Sequence, residues 1–202
     1  MESNFSILTV CTGNVCRSPL AEQLLLNQLR DIPEIRVSSA GTHALVGHPM
    51  FDATREIARS LEVEDQDTHR ARQVTEDILE SADLILTMTR DHRRSVVEIS
   101  PRVTRRVFTI REFARLAEVT TDEILSSEMN WAKDSPAERL RGAVTAVAVG
   151  RSVLPPVTDP AEDDVIDPYR RDMKVHTASA QQLVPAVTAA ARLLRRSVEG
   201  PF

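Results

Sequence analysis

Two side chains with complementary chemistry stand six residues apart near the start of the chain. Cys11 and Arg17 flank a short polar segment that contains Gly13 and Asn14. Glycine and asparagine tolerate a left-handed backbone better than other residues, so this segment can curl tightly. A cysteine thiolate is a strong nucleophile, and the planar fork of an arginine can hold two oxygens of a phosphate. The pair therefore suits covalent attack on a bound phosphate, with Cys11 as nucleophile and Arg17 as clamp.

The elements on either side of this segment favour a phosphate cradle. Residues 7–10 form a short apolar run rich in β-branched residues, which is typical of a buried strand. Ser18 and Pro19 then suit a helix start, the serine as a cap and the proline in the first turn. A loop between a strand and a helix N-terminus directs backbone N–H groups at an anion. Ser18 could also donate a hydrogen bond to the Cys11 thiolate. The simpler alternative, a buried cysteine in an ordinary turn, requires neither the arginine nor the second cysteine, Cys16.

Hydrophobic patterning along the rest of the chain predicts an α/β fold: a four-stranded parallel sheet with helices on both faces, in a single domain. The predicted strands are residues 7–10, 36–40, 84–86 and 107–109, and the predicted helices follow residue 18 and occupy 53–61, 75–82, 90–99, 111–117 and 136–149. A closing helix carries Leu183, Val187, Leu194 and Val198 roughly on one face, and Pro185 is expected to delay or kink it.

The sequence Cys-Thr-Gly-Asn-Val-Cys-Arg-Ser-Pro at 11–19 resembles the signature loop of low-molecular-weight protein-tyrosine phosphatases. Further matching segments are 38–42, 69–73, 82–88 and the Ile-Asp-Pro-Tyr segment at 166–169. The resemblance covers residues 5 to about 110 well and 165–198 loosely. It implies hydrolysis of protein phosphotyrosine through a phosphocysteine intermediate, with no cofactor and no metal.

By this resemblance Asp167 is the general acid, which protonates the leaving phenolate and then deprotonates the attacking water. A turn aspartate before a proline is the simpler interpretation of Asp167. Asp159 also precedes a proline, but no aromatic residue follows it, so it ranks second.

The resemblance also assigns a phosphate-binding loop and a network that braces it. The phosphate-binding residues are Thr12, Gly13, Asn14, Val15, Cys16, Arg17 and Ser18, and the loop-supporting residues are Asn14, Ser18, Ser39 and His69. His69 could instead be an ordinary surface histidine. For Cys16 two compatible roles stay open, which are packing under the loop and a protective disulfide with Cys11 under oxidation.

Several positions depart from the family pattern. Thr89 stands where the family often has aspartate, and Tyr169 is followed by Arg170 rather than by a second tyrosine. The phosphatase domain is expected to span residues 1–202, with an atypical insertion at about 118–160.

Three other functions stay open. A thiol-dependent arsenate reductase on this fold would use an external thiol, because no cysteine follows Cys16. A protein-arginine phosphatase has threonine at the position of Val15. A non-catalytic phosphate-binding module is the third, and the presence of Cys11, Arg17 and Asp167 argues against it.

The composition of the chain excludes further classes of protein. A net charge of −5 argues against a nucleic-acid binder, and the basic clusters at 90–94 and 102–106 are expected to be solvated faces. The two cysteines are too few for a disulfide framework or a zinc site. No apolar stretch approaches the roughly 20 residues that cross a bilayer, and no signal-peptide pattern is seen. We therefore expect a cytoplasmic enzyme, monomeric, with a phosphotyrosine protein as substrate.

Overall fold

Four short strands form one parallel sheet in the computed structural model, which describes residues 4–63, 67–131, 134–152, 154 and 157–200. They are β1 (Phe5–Cys11), β2 (Ile35–Gly41), β3 (Leu84–Thr87) and β4 (Val107–Thr109), in the order β2-β1-β3-β4. All three neighbouring pairs are parallel. The predicted strands are all present, and their ends differ from the prediction by at most two residues.

Helices cover both faces of this sheet. They are α1 (Arg17–Gln28), α2 (Asp52–Ser60), α3 (Glu76–Glu80), α4 (Arg90–Ile99), α5 (Ile110–Val119), α6 (Asp122–Glu128), α7 (Pro136–Gly150) and α8 (Met173–Glu199). Among the helices in the described part of the chain, none combines the length and apolarity needed to cross a membrane.

The side chains of β1 alternate between two hydrophobic cores, as the period of a strand requires. Phe5 and Ile7 enter a large core with α1, α5, α7 and α8, whereas Leu8 and Val10 enter a smaller one with α3 and α4. Both faces of β1 are buried, which explains its nearly continuous apolar sequence. The two cores confirm the predicted fold class, a parallel sheet between two helical layers in one domain.

Two helix starts differ from the sequence prediction. Helix α1 begins at Arg17 with Cys16 as its N-cap, so Ser18 lies inside the first turn and does not cap. Helix α8 begins at Met173, where the Asp172 side chain accepts a hydrogen bond from the Val175 amide. It then runs through Pro185 for 27 residues. The expected delay at Pro185 is wrong, because the capped start lies twelve residues earlier and the helix packs on the core along its length.

The segment expected as an insertion, 118–160, contains α6 and α7. Residues 132, 133, 153, 155 and 156 of it, like 1–3, lie outside the described residues. Helix α7 approaches α6 so closely that a Cβ at Gly142 would lie 2.8 Å from the carbonyl oxygen of Glu128. It is also tied to the sheet, since Arg141 forms an ion pair of 2.8 Å with Asp83, just before β3. The helix α6 was not predicted from the sequence.

Candidate active site

Cys11 is the last residue of β1, at the carboxyl edge of the sheet. The strands β2 and β3 flank β1 on opposite sides, so the strand order reverses here and opens the crevice in which α/β proteins bind ligands. The loop Thr12–Cys16 leads from this point into α1. It passes so close to β2 that a Cβ at Gly41 would lie 2.4 Å from the Thr12 carbonyl oxygen.

Asn14 holds the loop in its curled form. Its φ of 55° is left-handed, and its side chain is fully buried. The side-chain amide donates hydrogen bonds to the hydroxyls of Ser18 (3.0 Å) and Ser39 (2.8 Å), and its oxygen accepts one from the Arg72 amide. Ser18 in turn lies 3.0 Å from the Cys11 sulfur. A chain of buried hydrogen bonds therefore connects β2 to the sulfur of Cys11.

His69 and Glu22 lie at the outer end of this network. The His69 Nε2 is 2.7 Å from the carbonyl oxygen of Asn14, and Ser39 donates to Glu22 at 2.5 Å. Burial lowers the pKa of His69, so the neutral ring donates through Nε2. Burial also raises the pKa of Glu22, against an opposing effect of the Ser39 hydrogen bond. The four residues expected to support the loop thus lie in one network, to which the structure adds Glu22.

Arg17 is buried and reaches across to the segment that follows the insertion. Its guanidinium donates to the Val165 carbonyl oxygen at 3.1 Å and pairs with Asp167 at 2.9 Å. Within the described residues, its Nε has no hydrogen-bond partner. Asp167 accepts a bond from the Tyr169 amide through its other oxygen. Asp159 is elsewhere, capping the 3₁₀ turn at 160–163. The structure therefore brings Asp167, and not Asp159, to the loop.

Cys11, Arg17 and Asp167 line one cavity of about 250 Å³. Its other walls are largely apolar, with Val15 of the loop and Leu45 among them. Tyr169 and the neighbouring Phe51 meet edge to face, with 5.8 Å between ring centroids. The cavity thus combines a polar floor with apolar walls, which suits an anion carried on a flat apolar group. Over the described ranges, no three histidine, cysteine, aspartate or glutamate side chains converge as metal ligands.

Sequence reasoning missed the wall formed after β2. His43 and Leu45 both line the cavity, and they follow β2, whose carboxyl end lies beside that of β1. This shared edge was the available signal, since parallel strands bring the residues that follow them to one side of a sheet.

His92 is a second residue that sequence reasoning missed. Its two ring nitrogens lie 2.8 Å from the hydroxyls of Thr12 and Thr89. Burial, together with the nearby Arg17 cation, lowers the pKa of His92 to about 4. The neutral ring therefore braces the start of the loop against the first turn of α4. The available signal in the sequence was Thr89, three residues before His92, because this position departs from the aspartate that the family often has.

Cys16 differs from Cys11 in its surroundings. It packs with Val15, Ala71 and the Phe51 ring beneath the loop. Burial raises the pKa of the Cys16 thiol to about 12, so it stays protonated at neutral pH. Both thiols are free.

The comparison with known proteins identifies the family. The sequence profile described as low molecular weight phosphotyrosine protein phosphatase matches residues 6–125, which include all of β1 except its first residue, the loop, His69 and His92. The chain belongs to this family.

Two relatives illustrate how far the likeness extends. The low molecular weight protein-tyrosine-phosphatase Etp of Escherichia coli strain K12 is 42% identical over 98 residues, which cover 48% of this chain and 64% of that protein. A protein of Ralstonia solanacearum, named "Probable low molecular weight protein-tyrosine-phosphatase EpsP", is 35% identical over 137 residues, or 68% of this chain and 90% of that protein. The match to Etp thus spans less than two thirds of its length.

Solved structures share the fold over almost the whole chain. A low molecular weight protein tyrosine phosphatase from T. tengcongensis has a TM-score of 0.64 at 26% identity, covering 92% of this chain and 97% of that one. The YwlE arginine phosphatase from Geobacillus stearothermophilus has a TM-score of 0.67 at 24% identity, covering 98% of both chains. At that identity the second likeness concerns the fold alone.

Proposed function

We propose that this protein hydrolyses phosphotyrosine on proteins in two steps through a phosphocysteine. The observation that carries the proposal is the cavity that Cys11, Arg17 and Asp167 share beneath apolar walls. Membership of the phosphatase family supports it. The phosphate would lie on the loop Thr12–Ser18, against the Arg17 guanidinium, with the tyrosine ring between the apolar walls.

In the first step the Cys11 thiolate attacks phosphorus in line with the departing phenolate oxygen. The S–P bond forms as the P–O bond breaks, and Asp167 gives its proton to the phenolate. Ser18, 3.0 Å from the sulfur, is placed to stabilise the thiolate. Substrate binding displaces the Asp167 carboxylate from Arg17, and the freed carboxylate takes up a proton from solvent before it acts as the acid. Arg17 then offers two N–H groups to the equatorial oxygens.

In the second step water attacks the phosphocysteine. Asp167, now ionised, takes the proton of the water, so one carboxyl group serves both half-reactions. A P–O bond to the water oxygen forms as the S–P bond breaks, which releases inorganic phosphate and regenerates the thiolate. The network through Asn14 keeps the loop in one conformation during both steps, which spares the cost of reorganising donors around the moving charge.

The cavity wall also bears on the rival substrate. Val15 lines the cavity and presents methyl groups where a protein-arginine phosphatase has a threonine hydroxyl. Methyl groups suit an aromatic ring better than a phosphoramidate nitrogen. We therefore place phosphoarginine second, and an arsenate reductase third.

We further propose one phosphatase domain over residues 1–202, acting as a cytoplasmic monomer. The family profile ends at residue 125, yet α7 and α8 join α1 and α5 in the same core. This shared core supports our proposal that the segment at about 118–160 is an insertion built into the domain. A reducing compartment keeps a nucleophilic thiol such as Cys11 usable.

A panel of matched phosphopeptides tests the proposal, with phosphotyrosine, phosphoserine or phosphoarginine at one position. We expect turnover of the phosphotyrosine peptide to exceed that of the others by at least about tenfold. Cys11→Ser should abolish turnover and leave phosphate binding intact, because a serine hydroxyl stays protonated at neutral pH. Cys16→Ser is the matched control and should retain most activity. Preference for phosphoarginine, or turnover by Cys11→Ser, would disprove the proposal.

A further inference from the structure

A second cavity, of about 530 Å³, lies at the carboxyl edge of β3 and β4. Four arginines line it, against two carboxylates, so the lining carries an excess of positive charge. The arginines are Arg90, Arg93, Arg115 and Arg151, and the carboxylates are Glu112 and Asp163. It shares no described residue with the cavity at Cys11.

Both carboxylates of this cavity already have cationic partners. Glu112 binds Arg151 through two bonds of 2.8 and 3.0 Å, and it also accepts a bond from the Thr109 amide. Asp163 lies 3.5 Å from Arg115. The two carboxylates that line the cavity therefore form ion pairs with Arg115 and Arg151.

Arg90 and Arg93 have no such partner. In the described part of the chain, no carboxylate lies within ion-pair distance of either guanidinium. Arg93 is half-buried, and its Nε donates to the Val107 carbonyl oxygen at 3.2 Å. Burial lowers the pKa of Arg93, and the neighbouring Arg151 cation lowers it further, against an opposing effect of the Glu112 carboxylate that Arg151 already binds. Half-buried cations of like sign are costly to hold together when a single carboxylate, Glu112, must balance both Arg93 and Arg151.

We propose that this cavity binds a small molecule carrying two or more phosphate groups. Two unpaired guanidinium groups match the charge of such a ligand, and their planar forks match the geometry of phosphate oxygens. The volume falls within the range of small-molecule sites. The site goes beyond the proposed catalytic function and does not depend on it. It gives a role to the basic cluster at 90–94, for which the sequence alone predicts only a solvated face.

Calorimetric titration with inorganic pyrophosphate tests the site. The protein is first saturated with phenylphosphonate, so that the Cys11 cavity is occupied, and low salt is used because exposed charges are screened. We expect one pyrophosphate per chain. Arg90→Ala and Arg93→Ala should each weaken its affinity by about tenfold or more, as expected for loss of a charge-assisted hydrogen bond. Arg93→Lys should weaken it less than Arg93→Ala.

Arg94→Ala is the matched control. Arg94 neighbours Arg93 on α4 but pairs with Asp91 at 3.2 Å and does not line this cavity. The substitution Arg94→Ala removes the same net charge as Arg93→Ala, and it should leave the affinity for pyrophosphate within about twofold of the wild type. Thermal unfolding verifies that each variant is folded. If Arg93→Ala does not fold, the affinity of Arg93→Lys is compared with that of Arg94→Ala instead. Absence of a binding event beyond phenylphosphonate, or equal losses in Arg93→Ala and Arg94→Ala, would overturn the proposal.

Discussion

Asp167 and Asp159 are alike in sequence, since each precedes a proline, but they lie in different surroundings. Asp167 pairs with the buried Arg17 and lines the cavity at Cys11. The Asp159 side chain accepts a hydrogen bond from the Ala161 amide in a solvent-exposed turn. The choice between them depends on three-dimensional position, because both have the local sequence of a turn.

Asp167→Asn should lower turnover of a phosphotyrosine peptide by about 10²–10⁴-fold, the usual contribution of a general acid. The loss for p-nitrophenyl phosphate should be smaller, because nitrophenolate leaves readily without protonation. Steady-state kcat on the two substrates measures the difference. Asp159→Asn is the control and should match the wild type on both. If Asp159→Asn shows the selective loss and Asp167→Asn does not, the acid is Asp159.

His92 makes the stability of the fold depend on pH. In the folded protein its pKa is about 4, against an ordinary value of 6.5. As pH falls through this window the unfolded chain takes up a proton that the folded protein does not, so acid favours unfolding. The loss attributable to His92 should reach about 2 kcal/mol by pH 5.

The variant His92→Gln isolates this effect, since glutamine keeps one donor and one acceptor for Thr12 and Thr89 but does not titrate. Urea unfolding at pH 7.5 and pH 5 is compared in the two proteins. The variant should lose about 2 kcal/mol less stability between these pH values than the wild type does. Other buried histidines contribute equally to both proteins and cancel. Parallel losses in the two proteins would contradict the assignment.

At the scale of elements, the packing of α6 against α7 depends on a glycine. A methyl group at Gly142 would lie 2.8 Å from the Glu128 carbonyl oxygen, a backbone atom with little freedom to move. Gly142→Ala should therefore destabilise the protein by about 1–3 kcal/mol, as overpacking generally does, although alanine favours helices. Chemical denaturation measures the change.

Gly150→Ala provides the matched control in the same helix. Its added methyl group would lie 3.6 Å from a Leu116 methyl carbon, an ordinary contact. This variant should be neutral or stabilised by up to about 1 kcal/mol. Equal effects at the two glycines would mean that the close approach of α6 and α7 does not limit the packing.

The elements also show where local sequence is a sufficient guide. Residues that are neighbours in sequence determine the strand β1, the loop and α1. These elements could therefore be predicted from the local sequence pattern. Helix α6 has seven residues and is capped by Thr121, which is too short for a helical period to stand out. The start of α8 depends on Asp172, whereas the more conspicuous Pro185 indicated a later start. Packing along the whole helix outweighs the hydrogen bond that proline removes.

For the whole molecule, the sequence predicted the sheet and the loop but not the contacts made across long separations. Asn14 and Arg17 could be assigned to the loop from local sequence and family resemblance. That Glu22 closes the network behind Ser39, or that His92 reaches Thr12, depends on distances between elements. The cavity beside β4 brings Arg93 of α4 together with Arg151 and Asp163, which follow it in the chain by 58 and 70 positions.

The ion pair between Arg17 and Asp167 means that the unliganded site is already occupied by an anion of its own. The carboxylate behaves as a tethered competitor of phosphate for the same guanidinium, 2.9 Å away. Asp167→Asn should therefore make inorganic phosphate a stronger inhibitor than it is of the wild type, while turnover falls. Asp167, which is proposed to protonate the leaving phenol, would then also speed the dissociation of phosphate. Tight binding of the phosphate product is therefore incompatible with fast turnover in this site. A phosphate inhibition constant unchanged in Asp167→Asn would contradict this competition.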